Sequence, residues 1–268
     1  MEVSGLRSMK IVFVGAGNLA TNLAKALFHR GFPILQIYSR TEASAKVLAL
    51  AVEADYTTEL SDIVSDADLY VVALKDDALL SLLPAIVAGK QNALFVHTAG
   101  SIAMDVWKGH AERYGVFYPM QTFSKQREVN FDSLPIFIEA DSADDLSRVK
   151  ELAATLSDNV TELSSERRRF LHLSAVFACN FANHCYAQAA EILKEHGIPF
   201  EALLPLIDET AAKVHELAPR DAQTGPALRY DLNIIDEQRA ALQGDAQVIY
   251  DLMSHSIHKL AIQNEEDD

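Results

Sequence analysis

The sequence predicts an α/β protein: a doubly wound, mostly parallel sheet in residues 1–164, followed by an all-α domain in residues 165–268. Three observations carry that expectation. Apolar runs without polar alternation recur through the first half, at 11–14, 34–38, 69–74, 93–97, 115–118 and 136–139, which is the pattern of parallel strands covered on both faces. Helical patterns such as 42–51 fall between them, and alternating β and α units build right-handed crossovers onto one sheet. Beyond Ser164 the strand signal ends, and helical patterns cover about 166–195, 201–216, 234–242 and 246–262, with a polar break at 221–225.

The first strand opens the most informative stretch, Lys10 to Ala20, which reads KIVFVGAGNLA. The apolar run leads directly into Gly15-Ala16-Gly17-Asn18-Leu19-Ala20, and Leu19, Leu23, Ala26 and Leu27 continue at helical spacing. Strand, glycine turn and helix N-terminus, in that order, are what a dinucleotide-binding unit needs. Gly15 permits the tight turn, Gly17 lets the backbone approach a pyrophosphate, and Ala20 in the third glycine's place keeps helix and strand close. Asn18, Leu19 and Ala20 open the helix, so their N–H groups and the positive end of its dipole face the phosphates.

The second strand follows the helix stop Gly31-Phe32-Pro33 and ends in Ser39-Arg40-Thr41. Proteins that use NAD usually end this strand in Asp or Glu, which takes the ribose hydroxyls. Here a cation flanked by two hydroxyl groups stands instead, suited to a 2′-phosphate through charge-assisted bonds. Ser39, Arg40 and Thr41 therefore favour NADP(H) as cofactor, with Glu42 close enough to keep NAD open. Leu74, which ends the run at 69–74, and Lys75 just after it border the same cleft, unless Lys75 is only a solvated charge. Asp76 or Asp77 is expected to cap a helix starting near Ala78.

The long helix at 166–195 is apolar nearly all round, with Phe170, Leu171, Val176, Phe177, Phe181, Tyr186 and Ile192, and such a helix is expected to be buried. It stops at Gly197 and Pro199. At ~100° per residue, His172, Asn180, Asn183 and His184 fall within an arc of about 120°. The stripe either caps neighbouring backbone or faces a wet cleft. His172 is its best proton donor, because an imidazole titrates near neutral pH. Asn180, two turns on, suits a substrate carbonyl or the nicotinamide carboxamide. Downstream, Thr224 and Gly225-Pro226 fix a turn, and Arg229 either anchors a substrate carboxylate or pairs with Asp231.

Composition narrows the partners. The 268 residues carry a formal net charge of −15, which opposes nucleic acid and anionic membrane surfaces and leaves a small-molecule substrate. Cys179 and Cys185 lie six residues apart on one expected helix and cannot bridge there, as in a reducing cytoplasm. No stretch approaches the ~20 apolar residues of a membrane span. Residues 1–8 read as a flexible extension and 265–268 as a frayed acidic tail. His255 and His258 are at helical spacing without an acidic or cysteine ligand set, so no metal site is expected.

The glycine turn, His97-Thr98-Ala99-Gly100-Ser101, Tyr118-Pro119-Met120-Gln121-Thr122-Phe123, His172 to Asn180-Phe181, and Thr224 to Asp231 together cover nearly the whole chain. In these motifs it resembles a bacterial family of NADP oxidoreductases with a Rossmann-like N-terminal domain and a C-terminal helical domain of unknown function. More distantly it is similar to pyrroline-5-carboxylate reductase, deazaflavin-dependent NADP oxidoreductase and the β-hydroxyacid dehydrogenases. That wider group implies a 6-phosphogluconate-dehydrogenase-like helical domain and a homodimer whose helical domains pack together. Tyr118 stands where the family often has histidine, so its loop is not assigned a catalytic role; Tyr230 stands where the family has glycine. Val176 replaces the catalytic lysine of the β-hydroxyacid dehydrogenases, which argues against their mechanism.

The expected activity is NADPH-dependent hydride transfer to a C=O or C=N carbon of a small carboxylate-bearing molecule. His172 gives the proton, Asn180 orients the reacting group, and Thr224 and Arg229 hold the substrate. The alternative is a sensor that binds NADP without chemistry.

Overall fold

The computed structural model describes residues 6–267, with side chains of the last helix described as far as residue 263. Residues 1–5 and 268 lie outside the described residues, and with them most of the extension read at 1–8. Two compact units divide the chain between Cys179 and Asn180.

The first unit is built on an eight-stranded sheet. Its strands are β1 (Ile11–Val14), β2 (Ile34–Tyr38), β3 (Asp55–Thr57), β4 (Leu69–Val72), β5 (Leu94–His97), β6 (Arg113–Pro119), β7 (Ile136–Ala140) and β8 (Val160–Glu162). They lie in the order β3-β2-β1-β4-β5-β6-β7-β8. β1 to β6 run parallel, β7 is antiparallel to β6, and β8 is parallel to β7. Strand order reverses beside β1, which makes the crevice beyond the carboxyl ends of β1 and β4 the topological switch point where such sheets bind ligands.

Both faces of the sheet are covered, which explains the unalternated apolar runs. Ile11 and Phe13 pack on one face with Leu23 and Leu27 of α1 (Asn18–His29), Leu48 of α2 (Glu42–Ala51), and Val149 and Leu152 of α4 (Ala143–Ala154). Val12 and Val14 pack on the other with Leu79, Leu83 and Ile86 of α3 (Asp76–Val87) and with Trp107. Successive strand residues point to opposite faces, so the four β1 side chains divide between two cores. α3 begins at Asp76 with Lys75 at its cap position, two residues before the start expected near Ala78; Asp76 and Asp77 lie in its first turn and interact with its dipole instead of capping it.

β8 is the last strand among the described residues. It ends two residues before the boundary read at 164/165, and the first unit continues through α5 (Ser165–Ala175) to Cys179. From 176 to 181 the chain forms a π-turn that leads into α6 (Ala182–Glu195). The second unit adds α7 (Leu204–Lys213), α8 (Pro226–Arg229), α9 (Leu232–Ala240) and α10 (Gly244–Asp267). α9 and α10 are joined by Arg239 Nε to Asp251 at 2.7 Å and by the Tyr250 hydroxyl donating to Gln238 Oε1 at 2.8 Å. α10 runs on to Asp267, through most of the tail read as frayed.

Two expectations for the long helix are corrected. Its apolar side chains are not buried within the protomer: Phe170, Phe177, Phe181, Tyr186 and Ile192 are exposed, Phe177 by 65%. The π-turn also replaces i→i+4 with i→i+5 bonding, so the uniform 100° step that gathered His172, Asn180, Asn183 and His184 into one arc does not carry across 176–181. Among the described residues, no helix is long and apolar enough to cross a membrane.

Candidate functional site

The turn after β1 is shaped by two glycines with different reasons. Gly15 has φ +121°, and a Cβ there would collide with the Ala73 carbonyl oxygen at the end of β4. Its N–H donates to Tyr38 O at 2.8 Å, while Ala73 N–H donates to Val14 O at 2.9 Å, so the turn is stitched to both neighbouring strands. Gly17 has an ordinary φ of −77°, and a Cβ there would meet nothing within 4 Å. No protein atom therefore requires glycine at 17; the room it leaves is outside the fold.

Gly17 is also the cap position of α1, which has no capping side chain and no acid in its first turn. The first intrahelical bond runs from Thr21 N–H to Gly17 O at 2.9 Å, which leaves the N–H groups of Asn18, Leu19 and Ala20 for an anion. These features fit a pyrophosphate. The Asn18 side chain is engaged elsewhere: its amide donates to Phe123 O at 3.0 Å, and Asn22 donates to Ser124 O at 3.0 Å. Asn18 thus offers its backbone to the turn and its side chain to the loop after β6.

At the end of β2, Arg40 and Thr41 are exposed and Ser39 is half-buried. Ser39 Oγ accepts from Thr41 N–H at 3.4 Å. Glu42, the acid that kept NAD open, accepts from the Tyr56 hydroxyl at 3.2 Å. The cation at 40 is thus accompanied by an acid already engaged by a neighbour, which fits a 2′-phosphate better than a bare ribose. Leu74 is half-buried and Lys75 exposed at the end of β4. The Ser101 hydroxyl donates to Asp76, tying the loop after β5 to the start of α3.

His172 is set by a buried clamp. Arg168, one turn earlier on α5, is wholly buried. It donates from Nη1 to Glu139 Oε2 at 2.7 Å, and from Nη2 to Ile102 O at 2.6 Å and Ser165 Oγ at 3.1 Å. Glu139 on β7 also accepts from the N–H of Ser165 at 3.0 Å and from its hydroxyl at 2.6 Å. Ser164 caps α5 by accepting from Arg167 N–H. α5 is therefore fixed against β7 and the loop after β5, and His172 projects to where β6 ends. Its Nδ1 lies 3.0 Å from the Tyr118 hydroxyl. Tyr118, given no catalytic role from the sequence, is the polar side chain His172 contacts. The clamp was not visible in the sequence: the run Arg167-Arg168-Arg169 shows three cations but not which is buried.

His97, at the end of β5, is fully buried beside Trp107. Its Nδ1 accepts from Ala99 N–H at 3.2 Å, and its Nε2, near the Ala103 backbone, closes no hydrogen bond. Burial, helped by the Arg168 charge, pushes its pKa down from 6.5 to about 3. The unfolded chain then binds a proton that the folded chain refuses, so this group takes stability away as pH falls from about 6.5 toward 3. The slope is at most about 1.4 kcal/mol per pH unit. Urea denaturation across that range should show His97→Gln, which keeps an acceptor for Ala99, losing less stability on acidification than the parent.

The other expected substrate residues belong to the second unit. Asn180, Thr224 and Arg229 are exposed. Gly225 has φ +107° and starts α8, and Thr224 O accepts from Gln223 Nε2 at 2.9 Å. The expected alternative for Arg229 is not found: no ion pair joins it to Asp231 among the described residues. Tyr230 adopts a left-handed conformation (φ 52°) and stacks on His258, with ring centroids 3.8 Å apart, which seats this segment on α10. A groove of about 760 Å³ along α1, lined by Lys25, Arg30, Lys125 and Arg127, contains none of the expected site residues. Among the described residues, no three His, Cys, Asp or Glu side chains gather as a metal cluster.

Residues 10–100 match the family described as NADP oxidoreductase, coenzyme F420-dependent, and residues 134–257 match a domain of unknown function, DUF2520. The crystal structure of a provisionally assigned NADP oxidoreductase from Bacteroides fragilis is 58% identical, with a TM-score of 0.92 over 95% of this chain and 99% of that one. An imine reductase from Myxococcus stipitatus, solved with NADP+, shares the fold at 17% identity, with a TM-score of 0.67 over 96% and 94% of the two chains. Pyrroline-5-carboxylate reductase from Pseudomonas aeruginosa is 30% identical over 106 residues, which span 37% of this chain and 39% of that enzyme.

Proposed function

We propose that this chain, which belongs to the family of NADP oxidoreductases, reduces a C=O or C=N carbon of a small carboxylate-bearing molecule with NADPH. The observation that carries the reading is Gly17: open space where its Cβ would stand, at an uncapped helix N-terminus on the switch point of the sheet. Bound NADPH supplies the hydride. The N–H groups of Asn18, Leu19 and Ala20 hold the pyrophosphate, Arg40 with Ser39 and Thr41 holds the 2′-phosphate, and Leu74 and Lys75 border the cofactor. His172 holds the proton that the reduced oxygen or nitrogen takes up. Asn180 orients the reacting group, and Thr224 and Arg229 hold the substrate, the guanidinium by a fork of N–H bonds to its carboxylate.

The name of the Pseudomonas relative specifies a pyrroline carboxylate as what it reduces, which supports a carboxylate-bearing C=N compound as the substrate class. Residues 1–164 serve the cofactor and residues 165–268 the substrate and a second copy of the chain in the cytoplasm. Homodimerisation is supported by the exposed Phe170, Phe177 and Phe181, large apolar side chains that water alone would cover at cost.

Titration with NADPH and NADH, followed by NADPH oxidation against cyclic imine carboxylates and oxo acids, tests the reading. Arg40→Ala should weaken NADPH ~10–100-fold, the worth of hydrogen bonds to a charged group, and leave NADH nearly unchanged. His172→Ala should lower kcat ~100-fold or more at unchanged NADPH affinity. No affinity for either nucleotide removes the reading; tight NADPH binding without turnover makes the chain a sensor.

A further inference from the structure

We propose that Tyr118 is a positioning residue that engages His172 Nδ1 and so presents Nε2 as the nitrogen that passes the proton. The inference rests on the reading of His172 as proton donor given above. The phenol oxygen lies 3.0 Å from Nδ1, and the two rings meet edge to face at 77°, with centroids 6.0 Å apart. The opposite constraint comes from Gly100: a Cβ there would lie 2.6 Å from both Cγ and Nδ1 of His172, so the imidazole rests against bare backbone. α5 itself is fixed one turn away by Arg168 and Glu139. The ring is thus held by hydroxyl, backbone and helix together, with Nδ1 committed to Tyr118.

The phenol can serve both ionisation states of the imidazole. Burial raises the Tyr118 pKa above its usual value of 10, with the Arg168 charge opposing and Cys179 adding to the rise, so the hydroxyl keeps its proton at neutral pH. Toward the neutral ring protonated at Nε2 the hydroxyl donates to Nδ1; toward imidazolium its oxygen accepts from Nδ1–H. In either state Nε2–H is the proton not spent on Tyr118. Bound NADPH would supply a hydride to the substrate carbon, and the C=O oxygen or C=N nitrogen would take a proton from His172. Transfer of the Nε2 proton from imidazolium leaves a neutral ring with its proton on Nδ1, donated to the Tyr118 oxygen, and one solvent proton at Nε2 restores the imidazolium.

Tyr118→Phe removes the hydroxyl and keeps the ring. In the full chain it should lower kcat about tenfold, the worth of one hydrogen bond, while the NADPH Kd stays within about twofold. In a His172→Ala background the same change should cost nothing further, because the hydroxyl acts through the imidazole. An equal loss in both backgrounds, or a shifted NADPH Kd, overturns the proposal in favour of a packing role. Nitrogen-15 NMR of His172 gives a readout without any substrate. Nδ1 should show hydrogen-bonded character in the parent and lose it in Tyr118→Phe; an unchanged signal overturns the proposal. If the parent turns over no substrate but the NMR change is seen, the reductase reading fails and the positioning of His172 by Tyr118 stands.

Discussion

Arg168→Met is expected to cost about 3–5 kcal/mol of stability, the usual penalty for removing one partner of a buried ion pair. The guanidinium is wholly buried and reaches Glu139, the Ile102 carbonyl and Ser165 at once. A methionine fills the volume but leaves the Glu139 carboxylate in the interior with only the two bonds from Ser165, and leaves the Ile102 carbonyl without its donor. The double variant Arg168→Met/Glu139→Leu removes both charges together and should recover much of the loss, because paired charges repay little more than their own desolvation. Urea denaturation of the parent and the two variants checks this ordering. A single variant within about 1 kcal/mol of the parent, the range of an exposed ion pair, would show that the clamp holds nothing. The same variant frees the helix that carries His172, so kcat should fall in it even at temperatures where the fold survives.

What the sequence makes legible here is what is local and buried. β1 and β2 end where the apolar runs end, and the glycine turn lies wholly within six residues, 15–20, because every residue in it acts on its neighbours. β3 and β8 escape notice for the opposite reason: each is three residues long, lies at an outer edge of the sheet and is largely exposed, so no apolar run announces it. The site contacts are invisible for a third reason. Tyr118 and His172 are 54 residues apart and Glu139 and Arg168 are 29 apart, and no periodicity links such pairs. The helix at 165–195 misleads in an instructive way. Apolar residues on every side predict a cover but not its source, and within one protomer Phe177 and its neighbours remain exposed.

Gly15→Ala should be the most damaging single methyl in the cofactor half. Two costs add at this position. The backbone at φ +121° lies in a region that L-residues with a side chain rarely occupy, and holding alanine there costs about 1–3 kcal/mol. The new Cβ also points at the Ala73 carbonyl oxygen, which is backbone and cannot rotate away as a side chain would. Relief must come from moving β4 away from β1 or unwinding the turn, which adds about 1–3 kcal/mol of the kind seen on overpacking. Either movement breaks Gly15 N–H to Tyr38 O and Ala73 N–H to Val14 O, the bonds that set the turn between its neighbours. Thermal melting and NADPH titration together should therefore show a loss of about 2–6 kcal/mol of stability and no measurable NADPH binding in whatever protein remains folded. Gly17→Ala is the contrast. With nothing within 4 Å of its Cβ and an ordinary φ, it should melt with the parent and lose only the nucleotide. If Gly17→Ala binds NADPH as tightly as the parent, the pyrophosphate does not lie over this turn. If Gly15→Ala folds and binds normally, β4 is not held against β1 in the way described.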